Sequence, residues 1–175
     1  MLSEKRIKEA ETNVKSYLNE GLLTKTKFIP KVFAILKNNA KESLNVANFL
    51  YKNKKSSLWI IVTSYYSMFY LANALLYKLG YKVGSRIPHK VTADALVVFA
   101  RNKIKQSLIE SYEDIRDEAL ASMKSEELIE YFDYERKKRS FIQYDTPEKI
   151  KISKVRTSLE RAREFMLQIS KLLEE

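Results

Sequence analysis

Cysteine is absent from this 175-residue chain, and histidine occurs once, at His89. Without cysteine the chain has no disulfide, no thiolate zinc site, no iron–sulfur cluster and no cysteine nucleophile. A single histidine excludes an HExxH motif and a cluster of imidazole ligands within one chain. We therefore predict neither a metal site nor a cofactor.

Glycine and proline are scarce, with three of each. The glycines, Gly21, Gly80 and Gly84, cannot build a phosphate-binding GxxxxGK[ST] loop or a GxGxxG fingerprint. The scarcity of both residues favours long helices. Because apolar and polar residues show no sustained alternation, we predict no β-strand.

The length is that of one domain with a sizeable core. We predict an all-α fold, an antiparallel up-and-down bundle of five to six helices. Residues 29–175 form the bundle, and residues 1–28 form an N-terminal helical extension that docks on it.

Capping residues mark the first helix ends. Ser3 begins a polar helix that stops near Gly21, and Pro30 begins the second helix. A central helix over 57–79 ends at Gly80, which is suited to the left-handed position after a helix.

Three further helical segments follow the central helix. One runs from about residue 89 to 104. Residues 108–144 form one long helix or two pieces, with a possible break from Ser122 to Ser125. Thr146 and Pro147 then begin a strongly amphipathic last helix. That helix fits packing in the bundle, and a coiled-coil dimer is the alternative.

Charge is the most prominent excess in the composition. Lys plus Arg is 32 and Asp plus Glu is 22, a net charge of +10. A surface with this net charge attracts nucleic acid, anionic lipid or an acidic partner. The alternative is that the lysine-rich helices only keep the protein soluble. The first residues lack the apolar core of a signal peptide, so we expect a cytoplasmic protein.

Residues 56–77 contain no charged side chain, and a helix of this length could span a bilayer. The segment also contains serines, a threonine, an asparagine and several tyrosines, with lysines on both flanks. A helix that is apolar all round equally suits the centre of a soluble bundle. We therefore predict the central helix of the bundle and no membrane partner, with a membrane anchor as the alternative.

Two charged residues interrupt an apolar stripe in the second half of the chain. Glu135 and Arg139 are four residues apart, with the glutamate first, which is the favoured orientation of a helical ion pair. Leu128, Phe132 and Ile142 share their stripe, which predicts that the pair faces a cleft or an interface. A slightly rotated helix that exposes both residues is the alternative.

Arg139, Tyr144 and Asp145 lie in the segment RSFIQYD, shortly before Pro147. The helical conformation is disfavoured for a residue that precedes a proline, so the helix should end just before Pro147. Arginine offers a planar, permanently charged fork for a phosphate, and tyrosine can stack on a base. Asp145 is a candidate base or a local helix cap.

Several segments in a fixed order resemble one family. SYYSMFYLANALLYKLGY (64–81) is similar to the central-helix signature of HEPN domains, and AKESLNVANFLYKNKKSSLW (40–59) resembles the helix before it. IPHKVTADALVVF (87–99) resembles the helix after it, and RSFIQYD (139–145) resembles the Arg-x4-Tyr-Asp ending of the small single-domain branch. The resemblance covers roughly residues 31–172.

The resemblance implies an all-α bundle that forms a homodimer. Many HEPN proteins are metal-independent ribonucleases with an Arg-x4–6-His motif at the dimer cleft, and many pair with a minimal nucleotidyltransferase as a toxin–antitoxin module. Arg139 matches the arginine of that motif, whereas Tyr144 occupies the position of its histidine. An unperturbed tyrosine has a pKa of about 10 and is poorly suited to proton transfer at neutral pH.

His89 lies beside Lys90 at the start of another helix. In a dimer it could reach the cleft, so His89, Lys90, Glu135 and Arg139 are candidate nucleotide-binding residues. An exposed loop histidine or a residue at a helix start is the alternative, because only the geometry of a site can establish a catalytic role.

The leading hypothesis is a dimeric nucleotide- or RNA-binding partner subunit of a nucleotidyltransferase module, catalytically degenerate. The alternative is a metal-independent ribonuclease that acts through Arg139 and Tyr144, with Asp145 or His89 also moving protons. A third hypothesis is a general RNA-binding scaffold that uses its basic face.

Overall fold

Six helices and two short strands make up the described part of the chain. The computed structural model describes residues 2–136 and 152–174. Within residues 124–136 it describes the backbone alone. The elements are α1 (Glu4–Asn19), β1 (Leu23–Lys25), α2 (Pro30–Lys52), α3 (Ser57–Lys78), β2 (Tyr81–Val83), α4 (Pro88–Phe99), α5 (Gln106–Arg136) and α6 (Ile152–Glu174). The predicted all-α bundle is confirmed.

The helix starts follow the local chemistry that the sequence indicated. The Ser3 side chain accepts a hydrogen bond from the backbone N–H of Arg6 at the start of α1. Pro30 occupies the first turn of α2, where its missing N–H costs no hydrogen bond. Gly80 follows the end of α3 with a φ of 88°, a conformation open to glycine.

The long helices alternate in direction along the chain. A short turn reverses the chain between α2 and α3. The Lys78 ammonium donates to the carbonyls of Leu172 and Leu173, which places the ends of α3 and α6 side by side. Arg161 on α6 pairs with Asp114 on α5 at 2.9 Å, and these two helices run antiparallel.

The core lies around α3, which packs against α2, α5 and α6. The largest fully buried side chains come from three helices: Tyr65 on α3, Tyr112 on α5 and Phe165 on α6. The rings of Tyr112 and Phe165 are 5.9 Å apart between centroids. Burial of these rings is a main source of the stability of the bundle.

One prediction about local structure was wrong, and one choice that the sequence left open is decided between Ser122 and Ser125. The chain does contain strands, because β1 pairs with β2 in an antiparallel ladder with Leu23 opposite Val83. Three residues are too few for an alternating pattern to show. The possible break from Ser122 to Ser125 is absent, since α5 continues through it to Arg136.

The helix near His89 is also shorter than predicted. It ends at Phe99, and the next residues form a turn in which the N–H groups of Lys103 and Ile104 donate to the carbonyl of Ala100. The predicted start of the last helix at Thr146 and Pro147 lies outside the described residues.

Residues before α2 contact the bundle through both α1 and β1. Helix α1 packs on α4, and β1 pairs with β2, which follows α3. Val14 and Tyr17 on α1 belong to the same apolar core as the bundle helices. The N-terminal segment therefore adds apolar surface to the bundle.

Within the described residues, α3 is long and apolar enough to span a membrane, and 61% of its apolar window is buried inside the molecule. The core helix of a soluble protein passes the same test of length and composition. This property is therefore weak evidence for a membrane span.

Candidate functional site around His89

The predicted site residues differ in how far the structure describes them. His89 and Lys90 lie in the first turn of α4. Arg139, Tyr144, Asp145 and the side chain of Glu135 lie outside the described residues, so their predicted grouping stays a prediction.

The backbone before α4 turns sharply and directs His89 toward α3. Ile87 adopts a left-handed conformation with φ of 44°, and Pro88 begins the helix. His89 is half-buried against aromatic rings of α3, whereas Lys90 is exposed. The ring centroid of His89 lies 4.8 Å from that of Phe69 and 6.0 Å from that of Tyr66.

A hydrogen bond joins His89 to the core. The hydroxyl oxygen of Tyr65 lies 2.7 Å from Nδ1 of His89, and it lies 3.5 Å from the hydroxyl oxygen of Tyr112. Either the Tyr65 hydroxyl donates to Nδ1, or Nδ1–H donates to the phenol oxygen, depending on the imidazole tautomer. Three helices, α3, α4 and α5, therefore meet in one polar group of three side chains.

Burial keeps these three side chains neutral at neutral pH. Burial, and secondarily the charge of Arg116, lowers the pKa of His89 from its ordinary value of 6.5. Burial also raises the pKa values of Tyr65 and Tyr112 above the ordinary value of 10. The arrangement stabilises a neutral imidazole and two protonated phenols, which is typical of a satisfied polar group in a core.

A second polar cluster lies between α1, α4 and α5. Asp94 is 2% exposed, and its carboxylate accepts hydrogen bonds from the Tyr17 hydroxyl at 2.9 Å and the Asn13 amide at 3.0 Å. The Arg6 guanidinium lies 2.7 Å from the other carboxylate oxygen and also pairs with Glu113. This cluster anchors α1 to the bundle through a paired buried charge.

The sequence analysis missed this cluster, although a signal exists. Asp94 interrupts the apolar run VTADALVVF, and a carboxylate at a core position requires partners. Arg6, Asn13 and Tyr17 are spaced seven and four residues apart and so share one face of α1. Matching that polar face to Asp94 required the tertiary structure.

No group of three or more metal-ligating side chains occurs among the described residues. The rings nearest to His89 belong to Tyr65, Tyr66 and Phe69.

The chain matches the family model of the HEPN domain over residues 33–172. It belongs to the HEPN family. The matched range begins within α2 and ends within α6, and it leaves α1 and β1 outside. The resemblance inferred from the ordered segments is thereby confirmed.

No curated protein and no solved structure matches this HEPN protein.

Proposed function

We propose that this HEPN protein is a dimeric RNA- or nucleotide-binding subunit that partners a minimal nucleotidyltransferase and lacks ribonuclease activity. The observation that carries the proposal is the placement of its one imidazole. His89 lies on α4 in a hydrogen bond with Tyr65, and the position five residues after Arg139 is Tyr144.

Proton transfer at neutral pH requires a group whose pKa lies near 7. An unperturbed tyrosine has a pKa of about 10, so Tyr144 is a poor replacement for the histidine of HEPN nucleases. Nδ1 of His89 contacts the Tyr65 hydroxyl, and the rings of Tyr65 and Phe69 on α3 lie against the imidazole. This environment supports a structural role for His89.

Phosphate binding does not need a titrating residue. Arg139 retains a permanent charge and a planar fork, which suits phosphate oxygens. The net charge of +10 adds a long-range attraction for an anionic ligand. Both properties support binding without cleavage.

Incubation of the full chain with labelled RNA in EDTA tests this proposal. We expect no cleavage above the background of a buffer control, and we expect salt-sensitive binding that weakens in Arg139→Ala. Arg139→Lys is the matched control, because it retains the charge without the fork. Cleavage by the wild type that disappears in Arg139→Ala would overturn the proposal in favour of the ribonuclease.

Co-expression with a minimal nucleotidyltransferase encoded beside the gene tests the partner. We expect the two proteins to co-elute, and we expect the free protein to have twice the chain mass of 20.5 kDa by light scattering. A stable monomer that binds neither nucleotide, RNA nor the nucleotidyltransferase would contradict every part of the proposal.

A further inference from the structure

Acidic side chains are nearly absent from a long central part of the chain. Residues 21–93 contain twelve lysines and arginines and a single acidic residue, Glu42. From residue 43 to residue 93 the chain has no aspartate or glutamate. A ligand that contacts the surface formed by this segment therefore meets positive charge with little local compensation.

The densest basic part of this segment is the turn between α2 and α3. Three lysines occur within four residues at this point, the last residue of α2 and two residues of the turn, and all three are exposed. A large aromatic ring lies on each side of the turn, one in the last turns of α2 and one in the first turn of α3. We define the turn surface as these five side chains: Phe49, Lys52, Lys54, Lys55 and Trp59.

The two aromatic rings of the turn surface are unusually exposed. Phe49 is 64% exposed and Trp59 is 50% exposed, whereas the largest rings of the core are fully buried. Trp59 is the only tryptophan of the chain. Phe49 and Lys52 are three residues apart on α2 and so share a face of the helix. Proteins that bind single-stranded nucleic acid typically combine exposed aromatic rings with exposed cations.

Lys54 adds an observation from the backbone. Its φ is 49°, in the left-handed region where glycine is favoured and where a lysine costs free energy. The turn therefore carries a lysine at a position where glycine would better suit the fold. That choice is consistent with a role for the lysine charge.

Two arginines of α6 extend the basic region next to the turn. Arg156 is exposed beside Tyr51 on α2, and it also pairs with Glu160 one turn later on α6 at 3.9 Å. Arg163 donates from Nε to the side-chain oxygen of Asn48 at 2.9 Å. Because Asn48, Tyr51 and Lys52 are spaced three and four residues apart, they share one side of α2. A strand crossing the turn therefore meets cations from two helices.

We propose that the turn surface binds single-stranded RNA, with its lysines on the phosphates and its two aromatic rings stacked on unpaired bases. This inference rests on the proposed function, and it names the surface that contacts the RNA. A paired duplex offers no free base faces to the rings, so the exposed rings favour a single strand. Lysine is depleted from protein–protein interfaces, which favours RNA over a protein partner.

Trp59 supplies a direct probe of this surface. We expect its fluorescence to be quenched when the full chain is titrated with a labelled 20-nucleotide single-stranded RNA that lacks secondary structure. We expect the same titration by anisotropy to give an affinity that falls with salt, with a slope of about −0.7 for each phosphate contact. A double-stranded RNA of equal length should quench Trp59 far less.

Variants separate the turn surface from the rest of the basic protein. The triple variant Lys52→Ala, Lys54→Ala, Lys55→Ala should weaken RNA binding about tenfold or more and flatten the salt slope. Its matched control is Lys5→Ala, Lys8→Ala, Lys15→Ala on α1, which removes the same charge from exposed positions and should change the affinity less than about twofold. Phe49→Ala and Trp59→Ala should each weaken binding about 5- to 100-fold.

Lys54→Gly excludes unfolding as the cause of weaker binding. Glycine relieves the left-handed backbone, so the melting temperature should not fall, while the affinity for RNA should fall several-fold. Loss of affinity in a variant with intact thermal stability would assign the effect to the lysine charge.

The outcomes distinguish this inference from the proposed function. If the wild type binds RNA and the two triple variants weaken that binding equally, the assignment of RNA binding to the turn surface is wrong. The proposed function then stands. If the turn variants bind RNA normally but lose the nucleotidyltransferase, the surface is a protein interface and the RNA assignment is wrong. If the wild type binds no RNA at all, the RNA arm of the proposed function fails as well.

Discussion

The hydroxyl oxygen of Tyr65 and Nδ1 of His89 lie 2.7 Å apart, so one hydrogen bond joins the middle of α3 to the start of α4. This bond holds the only histidine of the chain in a half-buried aromatic environment. The burial of this imidazole makes the stability of the protein depend on pH.

Acid should destabilise the protein through His89. Burial lowers the pKa of the folded imidazole below its ordinary value of 6.5, so the unfolded chain binds more protons between these two values. The stabilising contribution is fully present above pH 6.5 and is lost as the pH falls toward the folded pKa. We expect the melting temperature to fall more between pH 7.5 and pH 5.5 in the wild type than in His89→Gln. Parallel curves for the two proteins would contradict this assignment.

Removal of the Tyr65 hydroxyl should weaken the fold without creating a cavity. Tyr65→Phe loses the hydrogen bond to His89 and should lower the free energy of unfolding by about 1 kcal/mol. Tyr66→Phe is the matched control, because the Tyr66 hydroxyl makes no hydrogen bond to the described residues. Urea denaturation measures both, and equal losses would argue against the bond.

Asp94→Ala should destabilise the protein by about 3 kcal/mol, because it removes the buried carboxylate that Tyr17, Asn13 and Arg6 share. Glu11→Ala removes the partially exposed pair with Arg101 and should cost less than about 1 kcal/mol. Chemical denaturation of both variants checks the difference. Amide hydrogen exchange should also rise throughout α1 in Asp94→Ala, and unchanged protection there would contradict the anchoring role.

Phe165→Ala should lower the free energy of unfolding by about 3–5 kcal/mol, since the ring is fully buried against Tyr112. Leu167, two residues later on α6, is 51% exposed, and Leu167→Ala should change stability by about 0.5 kcal/mol or less. Similar effects at both positions would mean that the packed face of α6 has been misassigned.

Much of the fold could be predicted because helix formation depends on residues close in sequence. The apolar spacing of α2 and α6, the Ser3 cap, Pro30 and Gly80 all act within a few residues. The two strands could not be predicted in this way. Their pairing joins Leu23 to Val83, which are distant in the sequence with α2 and α3 between them, so no local pattern indicates it.

Only part of the candidate site could be predicted. The sequence drew attention to His89 as a lone histidine at a helix start, but it did not identify Tyr65 and Tyr112 as its polar neighbours. These three residues come from three helices, and their distances depend on how the helices cross. The same holds for Asp94, whose partners Arg6, Asn13 and Tyr17 all lie on α1.

By itself, the sequence determined the all-α class, the HEPN family and the exclusion of cysteine chemistry, because these depend on composition and on patterns local to each helix. The tertiary structure decided which polar side chains meet and which aromatic rings remain exposed. It buries Tyr65 and Tyr112 but leaves Phe49 and Trp59 at the surface. The physical reason is that burial depends on packing between distant helices, and a residue's type alone does not specify its neighbours.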